Sequence, residues 1–356
     1  MKKPHILLSP LDWGLGHAAR SCLIVDQLLK QNFEVSVAAN QQGLELFEEH
    51  FHDQIGYIEE LPDYNIHYQG KSLALSLARQ FPAIRKVIRE ERDWLAKNAG
   101  KLNLSGVISD NRFGFYHADL PSVYITHQLN VKAYGFEQLS ARIHASVIQN
   151  FDQCWIPDSK TNPLAKALSS PKVRRTNYEY ISWLNRLSLA DELPYGDELK
   201  VLVLSSGPEP YRSDFIHKAY ESLVELEGNH LILGAKANAS PQGKSAHIKY
   251  LNHAKPAALK GMIKKAEIIL CRPGYTGLME LGAYGKKLII VPSPGQTEQE
   301  YLGKSLHKSE RAVMISNKKL NQLRLLKALE TEHSFVLEKE QVDWEKLFRL
   351  FKPSSS

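Results

Sequence analysis

One local pattern is written twice in this chain, and it limits the fold more than any other feature. His5-Ile6-Leu7-Leu8-Ser9 is a short apolar run that leads into Asp12-Trp13-Gly14-Leu15-Gly16-His17. From Ala18 to Gln31, Cys22, Val25, Leu28 and Leu29 recur at helical spacing, and Phe33 to Ala39 is strand-like again. The order restarts with Val201-Leu202-Val203-Leu204, the turn Ser205-Ser206-Gly207-Pro208, a helix near Ser213 to Glu227, and His230-Leu231-Ile232-Leu233. Unbroken apolar strands alternating with helices imply parallel sheets covered on both faces and joined by right-handed crossovers. The expected class is α/β, with two Rossmann-like, doubly wound parallel-sheet domains. A chain of 356 residues is long enough for both.

Further strands are expected at 106–110, 122–126, 153–157, 267–271 and 287–292. The 153–157 strand is expected to close the first sheet. Pro163 and Pro171 punctuate a polar stretch, which places the boundary between domains of 1–165 and 166–339. Val342, Leu347, Leu350 and Phe351 mark a last amphipathic helix, expected within 340–356 and packing back on the first domain.

Composition closes off several classes. Cys22, Cys154 and Cys271 are scattered, so neither a zinc site nor a disulfide framework is implied, and a reduced cytoplasmic compartment fits. The apolar run after Met-Lys-Lys is too short for a signal peptide, and no run is long enough to span a membrane. The net charge of +6 is spread along the chain, which reads as a solvated surface rather than a nucleic-acid site. Attraction to anionic substrates or to the inner face of a membrane is the weaker reading of that charge. Ser72 to Phe81 is apolar between basic residues and reads as a buried helix, with peripheral membrane contact as the alternative.

In open α/β sheets ligands bind beyond the carboxyl ends of the strands, and every unusual loop of this chain falls at such an end. Gly14 and Gly16 allow a tight turn and a close approach to a ligand, and His17 follows them at a helix start. Arg20 does not continue a dinucleotide-binding glycine pattern. Asp110 ends a strand and is expected to orient His17. Asn111, Arg112, His127 and Gln128 are expected on the acceptor side of the same rim. In the second half, Ser205, Ser206 and Gly207 form a loop able to hold phosphate. Arg272, Gly274, Tyr275, Thr276 and Gly277 lead into a helix carrying Glu280, which is placed to accept ribose hydroxyls. Gln296, Glu298 and Gln299 follow the next strand, where the glutamines can bond a sugar.

The run from Cys271 to Glu280, followed by Pro292 to Tyr301, resembles the donor-binding domain of GT-B glycosyltransferases. The resemblance is to the family that includes the peptidoglycan GlcNAc transferase, with a family 28-like C-terminal domain. Pro10 to Ala18 resembles the first loop of a related bacterial group. The resemblance implies a GT-B fold, two domains facing across a cleft, and a UDP-sugar as donor substrate with no metal or other cofactor. The acceptor would be a glycan, a lipid or a small molecule. By that resemblance Glu280 would bind ribose, Gly274 to Gly277 would lie along the pyrophosphate, and Arg272 would orient its loop or face the phosphates. Gln296 and Gln299 would hold the sugar, and His17 would be base or phosphate contact. Ser205-Ser206-Gly207-Pro208 departs from the family's glycine loop, so phosphate contacts there do not carry over. Inverting transfer of GlcNAc or another hexose is the leading expectation. A UDP-sugar 2-epimerase and a non-catalytic nucleotide-sugar binding protein are the alternatives.

Overall fold

The computed structural model describes residues 2–12, 14–59, 61, 73–130, 137–171, 177–234 and 245–352, with the side chains of 73–81, 137–141 and 143 outside the description. Trp13, the side chains expected to be buried from Ser72 to Phe81, and the tail from Pro353 therefore lie outside the described residues. The chain divides into two compact units, Met1–Leu189 with Lys339–Ser356, and Ala190–Glu338.

The first unit runs β1 (His5–Pro10), α1 (Leu15–Lys30), β2 (Glu34–Ala38), α2 (Gln41–Phe51), β3 (Gly56–Ile58), α3 (Leu73–Asn98), β4 (Gly106–Asp110), β5 (Ser122–Ile125), α4 (Glu137–Ile148), β6 (Gln153–Ile156) and β7 (Tyr178–Tyr180). Its sheet has the order β3-β2-β1-β4-β5-β6-β7, with every pairing parallel. All residues of β1, β4 and β5 are buried, which is why those runs read as unbroken apolar strands.

The second unit runs β8 (Leu199–Leu204), α5 (Tyr211–Leu223), β9 (His230–Leu233), β10 (Ile248–Leu251), α6 (Pro256–Lys265), β11 (Ala266–Cys271), α7 (Tyr275–Leu281), β12 (Lys287–Ile290), α8 (Thr297–Lys308), β13 (Val313–Met314) and α9 (Gln322–Leu329). Its order is β10-β9-β8-β11-β12-β13, again all parallel. Each sheet starts at an inner strand, builds outward on one side, then returns to build on the other. That is the doubly wound pattern the repeated motif implied.

The first unit extends past the boundary expected at 165. β7 pairs with β6, so the 153–157 strand does not close the sheet. Between them, buried Asp158 accepts hydrogen bonds from the amides of Ser159, Leu164 and Ala165. The proline-punctuated stretch is thus a pinned loop inside the first unit rather than a linker. β7 is three residues long and only partly buried, so it left no apolar run to read.

After the second unit the chain returns to the first through α10 (Trp344–Phe348). The Phe348 ring is fully buried, 5.7 Å from Phe33 and 5.9 Å from Trp155. Phe351 packs beside Trp155 at 6.3 Å and lies over Gly106, where an added Cβ would come 2.3 Å from the ring. Only a glycine in β4 leaves room for that ring. Truncating Phe348 to alanine empties a closed aromatic cluster and is expected to cost the first unit about 3–5 kcal/mol. Thermal unfolding followed by near-UV circular dichroism checks this. An unchanged first-unit transition would show that the C-terminal segment contributes nothing to its stability.

Candidate active site

In the first sheet the winding reverses between β1 and β4, which are neighbours although β2 and β3 separate them in sequence. A crevice forms at such a reversal, beyond the carboxyl ends of the strands. The chain leaves β1 through Gly14, whose φ of 89° suits glycine, and α1 begins at Leu15. His17 and Arg20 are three residues apart in that helix, so both reach the same side. Asp110 is the last residue of β4, which β1 meets at Pro10.

The structure brings these groups into one cluster. Asp110 is fully buried. His17 Nδ1 lies 2.9 Å from Asp110 Oδ1, and the Arg20 guanidinium also donates to that oxygen. Arg20 Nε donates to Oδ2 at 2.7 Å, and Ser21 Oγ donates to it at 3.1 Å. Arg20 NH1 lies 3.1 Å from His127 Nδ1. An arginine only donates, so His127 Nδ1 is the acceptor. His17 Nδ1 faces a carboxylate that only accepts, at 2.9 Å, and Arg20 NH2, which only donates, at 3.0 Å. Because Arg20 already donates to both Asp110 oxygens, we assign the proton between His17 and Asp110 to Nδ1. His17 Nε2 is then a bare lone pair on a side chain that is 17% exposed.

The electrostatics follow from burial and these contacts. Burial would raise the Asp110 carboxyl, but the charge of Arg20 and the hydrogen bonds from Arg20 and His17 prevail and hold it well below the usual carboxylate range. Burial lowers His17 below its ordinary value, and the Arg20 charge adds to this against the opposing pull of Asp110. The result is an ionised carboxylate, a buried cation and a neutral imidazole.

The other rim residues divide. Asn111 has a φ of 68° and accepts at 2.7 Å from the Tyr124 hydroxyl, which also lies 3.1 Å from His144 Nε2. His127 is 7% exposed and is turned to Arg20, and the Gln128 amide lies 3.5 Å from its Nε2. Arg112 is not on an acceptor surface as expected. It is 1% exposed and donates from Nε to buried Glu91 Oε1 at 2.7 Å, while Glu91 Oε2 accepts from the Gly114 amide at 2.8 Å. That pair ties α3 to the loop after β4, a structural task that needs a buried counter-ion rather than a ligand.

In the second sheet the reversal falls between β8 and β11. Ser205, Ser206 and Gly207 follow β8, and Arg272 to Thr276 follow β11. Gly207, Gly274, Gly277 and Gly295 have no neighbouring atom within 4 Å of an added Cβ, so this end of the sheet is open. The buried Ser205 Oγ has no hydrogen-bond partner among the described residues. Glu280 lies in α7, half-buried, one turn beyond Thr276.

Arg272 does not face outward. It is 4% exposed, stacks 4.4 Å over the Phe215 ring, and donates to the carbonyls of Val291 and Tyr211 and to Asn317 Oδ1. It therefore fastens the ends of β11 and β12 to α5. Tyr275 is 4% exposed. Gln299 Oε1 accepts from the Ser293 amide at 2.8 Å, so its amide nitrogen is what remains to donate. Gln296 sits at the N-terminal cap position of α8, and Glu298 lies in the first turn of that helix.

Arg20 and Ser21 are the residues that the reading of the sequence missed. The signal was present in Arg20, a cation three residues after His17 in a helix, but the matching carboxylate lies 90 residues away. Among the described residues no three histidines, cysteines or carboxylates stand grouped to hold a metal ion. Among them, too, no helix is long and apolar enough to cross a membrane.

Residues 234–346 match the family model described as the glycosyltransferase family 28 C-terminal domain. No curated protein sequence matches the chain. The fold is similar to that of the kitacinnamycin glycotransferase, with a TM-score of 0.67 and 13% identity over 92% of this chain and 90% of that one. A UDP-glucosyltransferase from Polygonum tinctorium, capable of glucosylating indoxyl, gives a TM-score of 0.66 at 10% identity over 92% of this chain and 89% of that one. MurG from Acinetobacter baumannii gives 0.54 at 15% identity over 91% and 89%. The expected fold is therefore correct: the chain has the GT-B fold and carries a family 28-like C-terminal domain.

His144 gives the first unit a pH dependence. It is 6% exposed, and burial pushes it down to about 4, against opposing main-chain contacts from Gln128 and Leu129. An unfolded chain takes up this proton below about 6.5, whereas the folded one waits until about 4. The contribution is complete above pH 6.5 and is lost as pH falls toward 4, by about 3 kcal/mol in all. Melting temperatures from pH 7.5 to 4.5 check this, with His144→Gln expected to flatten the acid slope. An equal slope in both proteins would assign the acid sensitivity elsewhere.

Proposed function

We propose that this protein is a metal-independent, inverting glycosyltransferase that takes its sugar from a UDP-sugar. The family 28 match over residues 234–346 supports glycosyl transfer, and the GT-B fold supports a nucleotide-sugar donor and a separate acceptor. One observation carries the chemistry: an imidazole at a sheet's switch point, with Nδ1 on a buried carboxylate and a side chain that stays 17% exposed.

An alcohol is a poor nucleophile until its proton is removed. His17 Nε2 accepts that proton from the acceptor hydroxyl as the oxygen attacks the anomeric carbon. Asp110 holds the ring in the tautomer that leaves Nε2 bare and stabilises the imidazolium that forms. The bond to the departing UDP breaks on the opposite side of the carbon, so the configuration inverts. On the second unit, Glu280 accepts the ribose hydroxyls. The amides and open glycines after Cys271 take the diphosphate. Helix ends and main-chain donors offset the charge that develops on the leaving group. Gln296 and the remaining amide nitrogen of Gln299 bond the sugar. The acceptor is a glycan, a lipid or a small molecule bearing a free hydroxyl.

Three measurements test this. UDP is expected to raise the melting temperature, and Glu280→Ala to weaken its binding by about tenfold or more through loss of charge-assisted hydrogen bonds. Indifference to UDP and to every other nucleoside diphosphate removes the donor assignment. With donor and acceptor supplied, His17→Ala is expected to lower turnover by about 10²–10⁴-fold while UDP binding is unchanged. A fully active variant removes histidine from the role of base. Epimerisation of UDP-GlcNAc with no acceptor present would replace transfer with the 2-epimerase reaction.

A further inference from the structure

A histidine paired only with a buried carboxylate becomes a stronger base, because the negative charge favours the imidazolium. The first switch point is built differently. The Arg20 guanidinium lies on both oxygens of Asp110 and 3.0 Å from His17 Nδ1, and it is 2% exposed. Both Arg20 and His17 donate to the same carboxylate oxygen, so a charged imidazole would stand directly against a charged guanidinium. The ring also sits in the first turn of α1, where the helix dipole disfavours positive charge.

We propose that Arg20 is a positioning residue that cancels the charge of Asp110 and so keeps His17 neutral, with its proton on Nδ1 and its Nε2 open. This rests on the reading of His17 as the base. Among the described residues the charged and titratable groups against the ring are Arg20 from α1, Asp110 at the end of β4, and His127 after β5. His127 Nδ1 takes the remaining arm of the guanidinium, which fixes its plane. Ser21 Oγ completes the shell of Asp110 Oδ2. Arg20 therefore sets two things together. It holds the carboxylate where it can accept from Nδ1, and it prevents that carboxylate from trapping His17 as the imidazolium at neutral pH.

The test is a titration of the full-length protein followed by the imidazole nitrogen and carbon signals in NMR, with the His17 signals assigned by their loss in His17→Gln. Wild-type His17 is expected to show the Nδ1–H tautomer and to titrate below 6.5. In Arg20→Met the uncancelled Asp110 is expected to raise the His17 titration by about one unit or more, and Arg20→Lys to restore it. An unchanged or lower titration in Arg20→Met overturns the proposal, as does an Nε2–H tautomer in the wild type. If Arg20→Met does not fold, Asp110→Asn decides the matter. There the uncompensated Arg20 is expected to push the His17 titration further down, and a rise overturns the proposal. These signals need no substrate. Inertness toward every sugar donor would therefore sink the assignment of His17 as base while leaving this result standing.

Discussion

Asp110 is an ionised carboxylate with no exposure to water, and the first unit is organised around keeping it that way. An uncompensated charge at that depth costs several kcal/mol. Four donor contacts meet it: Arg20 on both oxygens, His17 on one and Ser21 on the other. Three of those residues come from the first turns of a single helix, and that helix can deliver them only if it starts immediately after β1. Gly14 makes this start possible with a backbone angle that glycine adopts freely. The strand order then brings β4 beside β1, so the carboxylate arrives where the helix points.

The second unit reaches a comparable arrangement by other means. Its buried cation, Arg272, is spent on main-chain carbonyls and on a phenylalanine face rather than on a carboxylate. The loops after β8, β11 and β12 are therefore held by a scaffold arginine, while their glycines leave open space in front of the main chain. A buried arginine whose two terminal nitrogens are held by carbonyls and an amide oxygen suits a site that must present amides in a fixed geometry. In the first unit the arginine acts on a titratable pair; in the second it acts on loop shape.

Much of this could be read in advance where the signal was local. Parallel strands buried on both faces appear as unbroken apolar runs, and glycine turns between a strand and a helix mark the carboxyl ends. The short strands β3, β7 and β13 were not legible, because two or three partly exposed residues carry no pattern. The domain boundary moved for the same reason: Pro163 and Pro171 look like a linker until the amides captured by Asp158 are seen. Arg112 and Arg272 looked like ligand contacts because charged residues at strand ends usually face solvent. Their burial depends on partners at Glu91 and Val291 that sequence spacing does not reveal.

By itself the sequence determined the class of fold, the two windings of strand and helix, and which loops stand at the carboxyl ends of the strands. Those follow from hydrophobic periodicity and glycine placement, which are properties of neighbouring residues. Only the tertiary structure decided which polar side chains meet. It joined His17, Arg20 and Asp110 across 90 residues, and it turned Arg112 and Arg272 inward. The reason is geometric: a parallel sheet places strands side by side without regard to their separation along the chain, and whether a charge is paired is settled there.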